Sequence, residues 1–180
     1  MSKIKVMNEL LANKIAAGEV VEKCSSVLKE LVENSIDAGA TNIKVLLDGG
    51  GLKKIEVIDD GSGMDREDAS LAFCRHATSK IYKDDDLFFI ETLGFRGEAL
   101  ASIASVSEVN METSNGVVGT LVHIKGGKVL EVSDAPLRVG TKIEVTNIFY
   151  NTPARLKYLK TEGTELNNCL AYIEKLALSK

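Results

Sequence analysis

Lys29-Glu30-Leu31-Val32-Glu33-Asn34-Ser35-Ile36-Asp37 reads as one helix with two opposed faces. Leu28, Leu31, Val32 and Ile36 recur at helical spacing and form an apolar stripe. Glu30, Glu33, Asn34 and Asp37 form a second stripe, all carboxylate or amide, on another face. Glu30 and Asn34 are one turn apart, so their side chains can reach a single point. A carboxylate that can take a proton from water, beside an amide oxygen that can ligand a hard cation, is the minimum set for metal-assisted hydrolysis. The same stripe also fits a solvated helix face. The rest of the chain has to decide between the two.

Working outward, Ser25 or Ser26 is expected to cap this helix, which should stop near Ala38-Gly39-Ala40. Upstream, Leu10 to Ala17 is rich in helix formers, and Gly18 is placed to end that element. Downstream, Asn42 to Leu47 and Lys54 to Ile58 are short β-rich runs joined by Asp48-Gly49-Gly50-Gly51, the pattern of a hairpin. Arg66 to Phe73 and Gly97 to Ile103 read as helices, with a looser stretch between Arg75 and Arg96. Four further strands are expected at Val109 to Glu112, Thr120 to Ile124, Val129 to Val132 and Lys142 to Thr146, then a helix from about Glu165 to Leu178. Helices first and a run of strands later favour an α+β fold over a doubly wound parallel sheet.

With 180 residues, 44% hydrophobic and 27% charged, the chain has the length and composition of one globular domain. No apolar run approaches a membrane span and no signal-peptide core is present, so a cytoplasmic protein with no membrane partner is expected. Three scattered cysteines, Cys24, Cys74 and Cys169, fit neither a disulfide framework nor zinc-ligand spacing. With only His76 and His123, a histidine-rich metal site is disfavoured. The net charge of −4 provides no global field for nucleic acid.

Three further motifs could carry chemistry. Asp59-Asp60-Gly61-Ser62-Gly63 follows a strand, where a carboxylate can accept from an exocyclic amine such as adenine N6 and glycines let backbone approach a base. An ordinary Asp-Gly turn is the alternative. Gly94-Phe95-Arg96-Gly97 precedes a helix, an arrangement that suits a phosphate chain or a plain glycine-rich turn. Ala77-Thr78-Ser79-Lys80 could fold over phosphates or form an exposed loop, and Gly140-Thr141 opens a late strand. No Gly-x-x-x-x-Gly-Lys-Ser/Thr loop is present.

The order of these motifs resembles the GHKL ATP-binding fold of type II topoisomerase ATPase subunits, heat-shock chaperones, histidine kinases and mismatch-repair proteins. The MutL family is the nearest, its bacterial branch above all. Leu11 to Val21, Glu30 to Ala40, Arg75 to Ile81, Leu93 to Ser102 and Phe149 to Arg155 look like its motifs, so the resemblance covers essentially all of residues 1–180. It implies a two-layer α/β sandwich of the Bergerat type, with a mixed, mostly antiparallel sheet and helices on one face. It also implies ATP and Mg²⁺ as ligands. By this resemblance Glu30 is the general base and Asn34 the Mg²⁺ ligand. Asp59 reads adenine, with Ala38, Gly63 and Met64 near the base and Thr141 supporting Asp59. Thr78, Ser79, Lys80, Gly94, Phe95, Arg96 and Gly97 belong to a lid over the triphosphate.

Two positions depart from the family pattern. Cys24 stands where proline is usual, and Asp60 where asparagine is usual. A second carboxylate beside Asp59 would raise one pKa if the two were close and buried, and Asp60 is therefore expected to point away. The family also implies an ATP-dependent dimer through the N-terminal region, with a mismatch-recognition protein and DNA as partners. A second domain would supply a lysine and a C-terminal region would dimerise, so an N-terminal fragment with slow hydrolysis is expected. Rival readings are a GHKL domain with another output, such as a histidine kinase, a non-catalytic nucleotide-binding module, or a DNA-binding module.

Overall fold

The computed structural model describes residues 15, 17, 18, 20–75, 77 and 98–179. Its helices are α1 (Cys24–Asp37), α2 (Arg66–Leu71), α3 (Ala99–Ser105), α4 (Pro153–Leu156) and α5 (Glu162–Ala177). The strands are β1 (Ile43–Asp48), β2 (Lys54–Asp59), β3 (Glu108–Ser114), β4 (Gly119–Lys125), β5 (Lys128–Asp134) and β6 (Gly140–Thr146). They form one sheet in the order β1-β2-β6-β3-β4-β5. Every pairing among the described residues is antiparallel, a more uniform sheet than the mixed one expected.

Alternation along the strands explains the two layers. Ile55 and Val57 of β2, Ile143 and Val145 of β6, Val109 and Met111 of β3, and Val122 and Ile124 of β4 are buried. Between them, Lys54, Glu56, Glu144, Lys142 and Glu112 form ion pairs on the other face. The apolar stripe of α1 supplies Val27, Leu28, Leu31 and Val32 to the same core as the inward strand residues, and α3 adds Ile103 and Ala104. Helices therefore cover one face of the sheet, as the α+β reading requires.

Three local expectations shift in detail. The residue flanking α1 is Lys23, with no side-chain cap, so neither serine plays that part. Ser25 lies buried in the first turn. The Glu165 carboxylate of α5 accepts instead from Cys24 N at 3.3 Å and from Lys160 N at 3.2 Å, a cap delivered from far along the chain. Gly18 and Val20 are themselves helical, so Gly18 does not end the upstream element. The β1–β2 link makes the hairpin expected, with a short 3-10 turn, Gly49–Gly51, in its connection. Finally, α5 begins at Glu162, earlier than expected, because the Thr161 hydroxyl accepts from Thr164 N.

The thiols are free, as expected: Cys24 and Cys169 are buried and Cys74 exposed. Burial pushes Cys24 up to about 12 and Cys169 up to about 11, so both stay protonated and inert. No helix among the described residues is long and apolar enough to cross a membrane.

Candidate functional site

At one end of the sheet the inward row changes character. The apolar sequence Ile55, Val57 in β2 ends on Asp59, and the next strands present Thr141, Thr113 and Thr120 at that level, all buried. Register sets this row: Thr113 pairs with Thr141 on one side and with Thr120 on the other.

Asp59 is 6% exposed and held on every side by donors. Its Oδ1 accepts from Gly61 N at 3.0 Å and Thr141 N at 3.1 Å. Its Oδ2 accepts from the Ser35 hydroxyl of α1 at 2.8 Å. Three donors are thus shared between the two oxygens, and Oδ2 keeps capacity for one more. The backbone is pinned as well, because Asp59 O accepts from Arg138 Nη1 at 2.9 Å. A Cβ on Gly140 would lie 2.2 Å from that same carbonyl oxygen, so only glycine lets β6 pass there.

The loop after Asp59 is equally constrained. Ser62 N donates to Ala38 O at 2.9 Å, tying the loop to the end of α1. Gly63 has φ +62, and a Cβ there would sit 2.0 Å from Ser114 O. Its glycine is thus required by packing on β3, whatever approaches from the open side. Met64 N donates to Thr113 Oγ1 at 3.0 Å, and Thr113 Oγ1 lies 2.9 Å from Thr141 Oγ1. Ala38, Asp59, Gly63, Met64 and Thr141 are therefore brought together, as the sequence led one to expect.

Asp60 does turn away. It accepts from Thr41 N and Oγ1 and from Asn42 N and Nδ2 at 2.7–2.9 Å. Hydrogen bonds from Asn42, reinforced by Thr41, hold its carboxyl well below the usual carboxylate range. Its carboxylate thus faces Thr41 and Asn42, and the departure from asparagine anchors the start of β1.

On the other side of Ser35, α1 presents the polar stripe. The Glu30 side chain is 19% exposed and the Glu33 side chain 11%. Lys29 Nζ lies 3.4 Å from Glu30 Oε1 and 3.1 Å from Glu33 Oε2, one cation shared by two carboxylates. Burial pulls the Lys29 ammonium down, but the hydrogen bond to Glu33 and the two carboxylate charges hold it above its ordinary value. Asn34, partly buried, follows Glu30 by one turn. Among the described residues no group of three or more His, Cys, Asp or Glu is placed to hold a metal ion. Thr78, Ser79, Lys80 and Gly94 to Gly97 lie outside the described residues.

Sequence reading missed Ser35, Thr113 and Arg138. Two of them left a signal. Ser35 is a small polar residue on the buried side of α1, and Thr113 a polar residue at an inward position of β3. Arg138, in the loop before β6, left none.

A buried carboxylate at the end of an antiparallel sheet, tied to a helix bearing Glu and Asn one turn apart, defines a nucleotide-binding ATPase fold. The family described as histidine kinase-, DNA gyrase B-, and HSP90-like ATPase matches residues 22–147, and the chain belongs to it. Within that family the chain is of the MutL type. It is 56% identical over 99% of its length to the DNA mismatch repair protein MutL of Lactiplantibacillus plantarum. To that of Ligilactobacillus salivarius it is 59% identical, again over 99% of its length. It spans only 26% and 27% of those two relatives. Among solved structures, the Aquifex aeolicus MutL ATPase domain complexed with ADP superimposes with a TM-score of 0.70 at 32% identity. The match covers 88% of this chain and 56% of that one. The N-terminal domain of a DNA repair protein gives a TM-score of 0.75 at 29% identity, over 90% of this chain and 47% of that one.

Proposed function

We propose that this chain binds ATP with Mg²⁺ and hydrolyses it, as the ATPase unit of a MutL-type mismatch-repair protein. The observation that carries the reading is the Asp59 carboxylate. It is held as an acceptor by Ser35, Gly61 and Thr141 within one helical turn of the residue pair that could perform hydrolysis. An acceptor fixed in this way favours a base with an exocyclic amine and disfavours one presenting a carbonyl there.

Asn34 fits a Mg²⁺ ion. Such an ion takes one or two protein oxygens and completes its shell with phosphate oxygens and water, and a lone amide oxygen on the helix face meets that need. When bound, the ion supplies charge neutralisation on the phosphates. Glu30 orients the attacking water and accepts its proton, and the fixed α1 backbone sets its distance from the Asp59 end. Thr78, Ser79, Lys80, Gly94, Phe95, Arg96 and Gly97 are assigned to the triphosphate side by family resemblance. By the same resemblance, ATP brings two N-terminal regions together in the whole protein. That state addresses a mismatch-recognition protein and DNA in the cytoplasm.

Calorimetric titration with ATP and Mg²⁺, alongside phosphate release, tests the reading. Saturable binding with slow release of phosphate is expected. Absence of ATP binding would overturn it. Sedimentation with a non-hydrolysable ATP analogue tests association, and a strict monomer of the whole protein at saturation would count against the dimer.

A further inference from the structure

The polar stripe of α1 is not covered by solvent alone, because α5 packs beside it. Tyr172 of α5 places its hydroxyl next to Glu33 and Glu30, where the oxygen is fully enclosed and meets hydrogen-bond geometry with no described residue. Burial, followed by the charges of Glu33 and then Glu30, pushes this phenol up to about 12. It therefore remains a donor throughout the physiological range. Glu33 lies near enough for its hydrogen bond to contribute to that shift, although the geometry falls short of a full hydrogen bond, and a small side-chain movement completes it. The acceptors that face it are the two carboxylates.

Glu33 is the better acceptor of the two. It is more deeply buried than Glu30 and already holds Lys29 at the shorter distance, 3.1 Å against 3.4 Å. If Glu33 takes both the lysine and the phenol, Glu30 keeps only its longer contact to Lys29, at Oε1, and its Oε2 is left for a water molecule. If Glu33 is free to swing, Lys29 shifts onto Glu30 and occupies the oxygen that the water needs.

We propose that Tyr172 and Glu33 form a positioning pair for Glu30: the phenol anchors Glu33, Glu33 retains Lys29, and Glu30 is thereby kept free to face the attacking water. This rests on the ATPase reading above, and it adds residues outside the set assigned to the nucleotide. Because neither residue belongs to that set, their effect should fall on turnover and not on affinity.

Tyr172→Phe removes the hydroxyl and keeps the ring in its packing. Single-turnover hydrolysis and calorimetric ATP affinity are measured on the chain with Tyr172→Phe, Glu33→Gln and the double variant, with thermal unfolding as a check. The expected result is a fall in turnover on the order of tenfold for each single variant, as for a displaced catalytic group. ATP affinity should stay within about twofold, and the double variant should be no worse than either single one. Undiminished turnover in folded Tyr172→Phe overturns the proposal. So does a parallel loss of affinity and turnover, or a doubled loss in the double variant. Absence of hydrolysis in the unsubstituted chain would instead remove the ATPase reading itself, and this inference with it.

Discussion

The two ends of the site are built to different standards of rigidity. Around Asp59, hydrogen bonds from α1, from the loop after β2 and from β6 fix both carboxylate oxygens, while Arg138 fixes the main chain. Around Glu30, the side-chain tie among the described residues is to a half-exposed lysine that is shared with Glu33. One end is preorganised before anything binds; the other has adjustable side chains on a rigid helix. Recognition of a flat base gains from fixed acceptors, because nothing has to be ordered at the moment of binding. Placing a water molecule on a phosphate that arrives with the ligand leaves the final alignment to be set by that ligand.

This contrast can be broken experimentally at each end. The largest expected effect is at the adjustable end. Glu30→Ala should lower hydrolysis by about 10²–10⁴-fold while ATP affinity stays near the original value, read by phosphate release and calorimetry. Wild-type turnover in that variant would deny Glu30 its role as base. At the fixed end, Asp59→Asn should weaken ATP binding by roughly 10–100-fold, since a charge-assisted hydrogen bond of about 1.5–3 kcal/mol is lost and an amide donor now faces the base amine. Unchanged affinity there would mean that the carboxylate does not read the base.

A smaller change is expected from Thr113→Val. It strands the partly buried Met64 N–H and removes the partner of the Thr141 hydroxyl, at a cost of about 1–3 kcal/mol in folding stability by denaturant unfolding. A cost near zero would show that the loop after β2 does not depend on β3. The smallest effect concerns Asp60→Asn at neutral pH. The folded-state pKa of Asp60 is depressed, so its contribution is complete above the ordinary carboxylate value and is lost as pH falls through the lower, folded one. Urea unfolding of the variant should therefore show a shallower decline of stability in acid than the parent chain. Parallel curves would remove Asp60 as an anchor of β1.

The legible part of the molecule was the part governed by periodicity. Alternation located all six strands within two or three residues, and the apolar stripe of α1 predicted which face meets the sheet. Glu30, Asn34 and Asp59 were visible because carboxylates and amides stood beside clear structural punctuation. Partners that act through space were not visible. Arg138 reaches Asp59 across 79 positions of sequence, and the glycine at 63 is explained by a carbonyl on β3 that no local pattern announces. The cap of α1 failed for the same reason: two serines at the right place lost to a carboxylate on another helix.

That carboxylate has a consequence for how the molecule is made. Glu165 meets the first amide of α1 across 141 positions, and it is buried at 1% exposure between α1 and α5. During synthesis the segment that carries Glu30 and Asn34 leaves the ribosome long before Glu165 does. For most of that time its first turn can only fray. The helix proposed to bear the chemistry is completed only when α5 docks, so hydrolytic competence should not precede that docking.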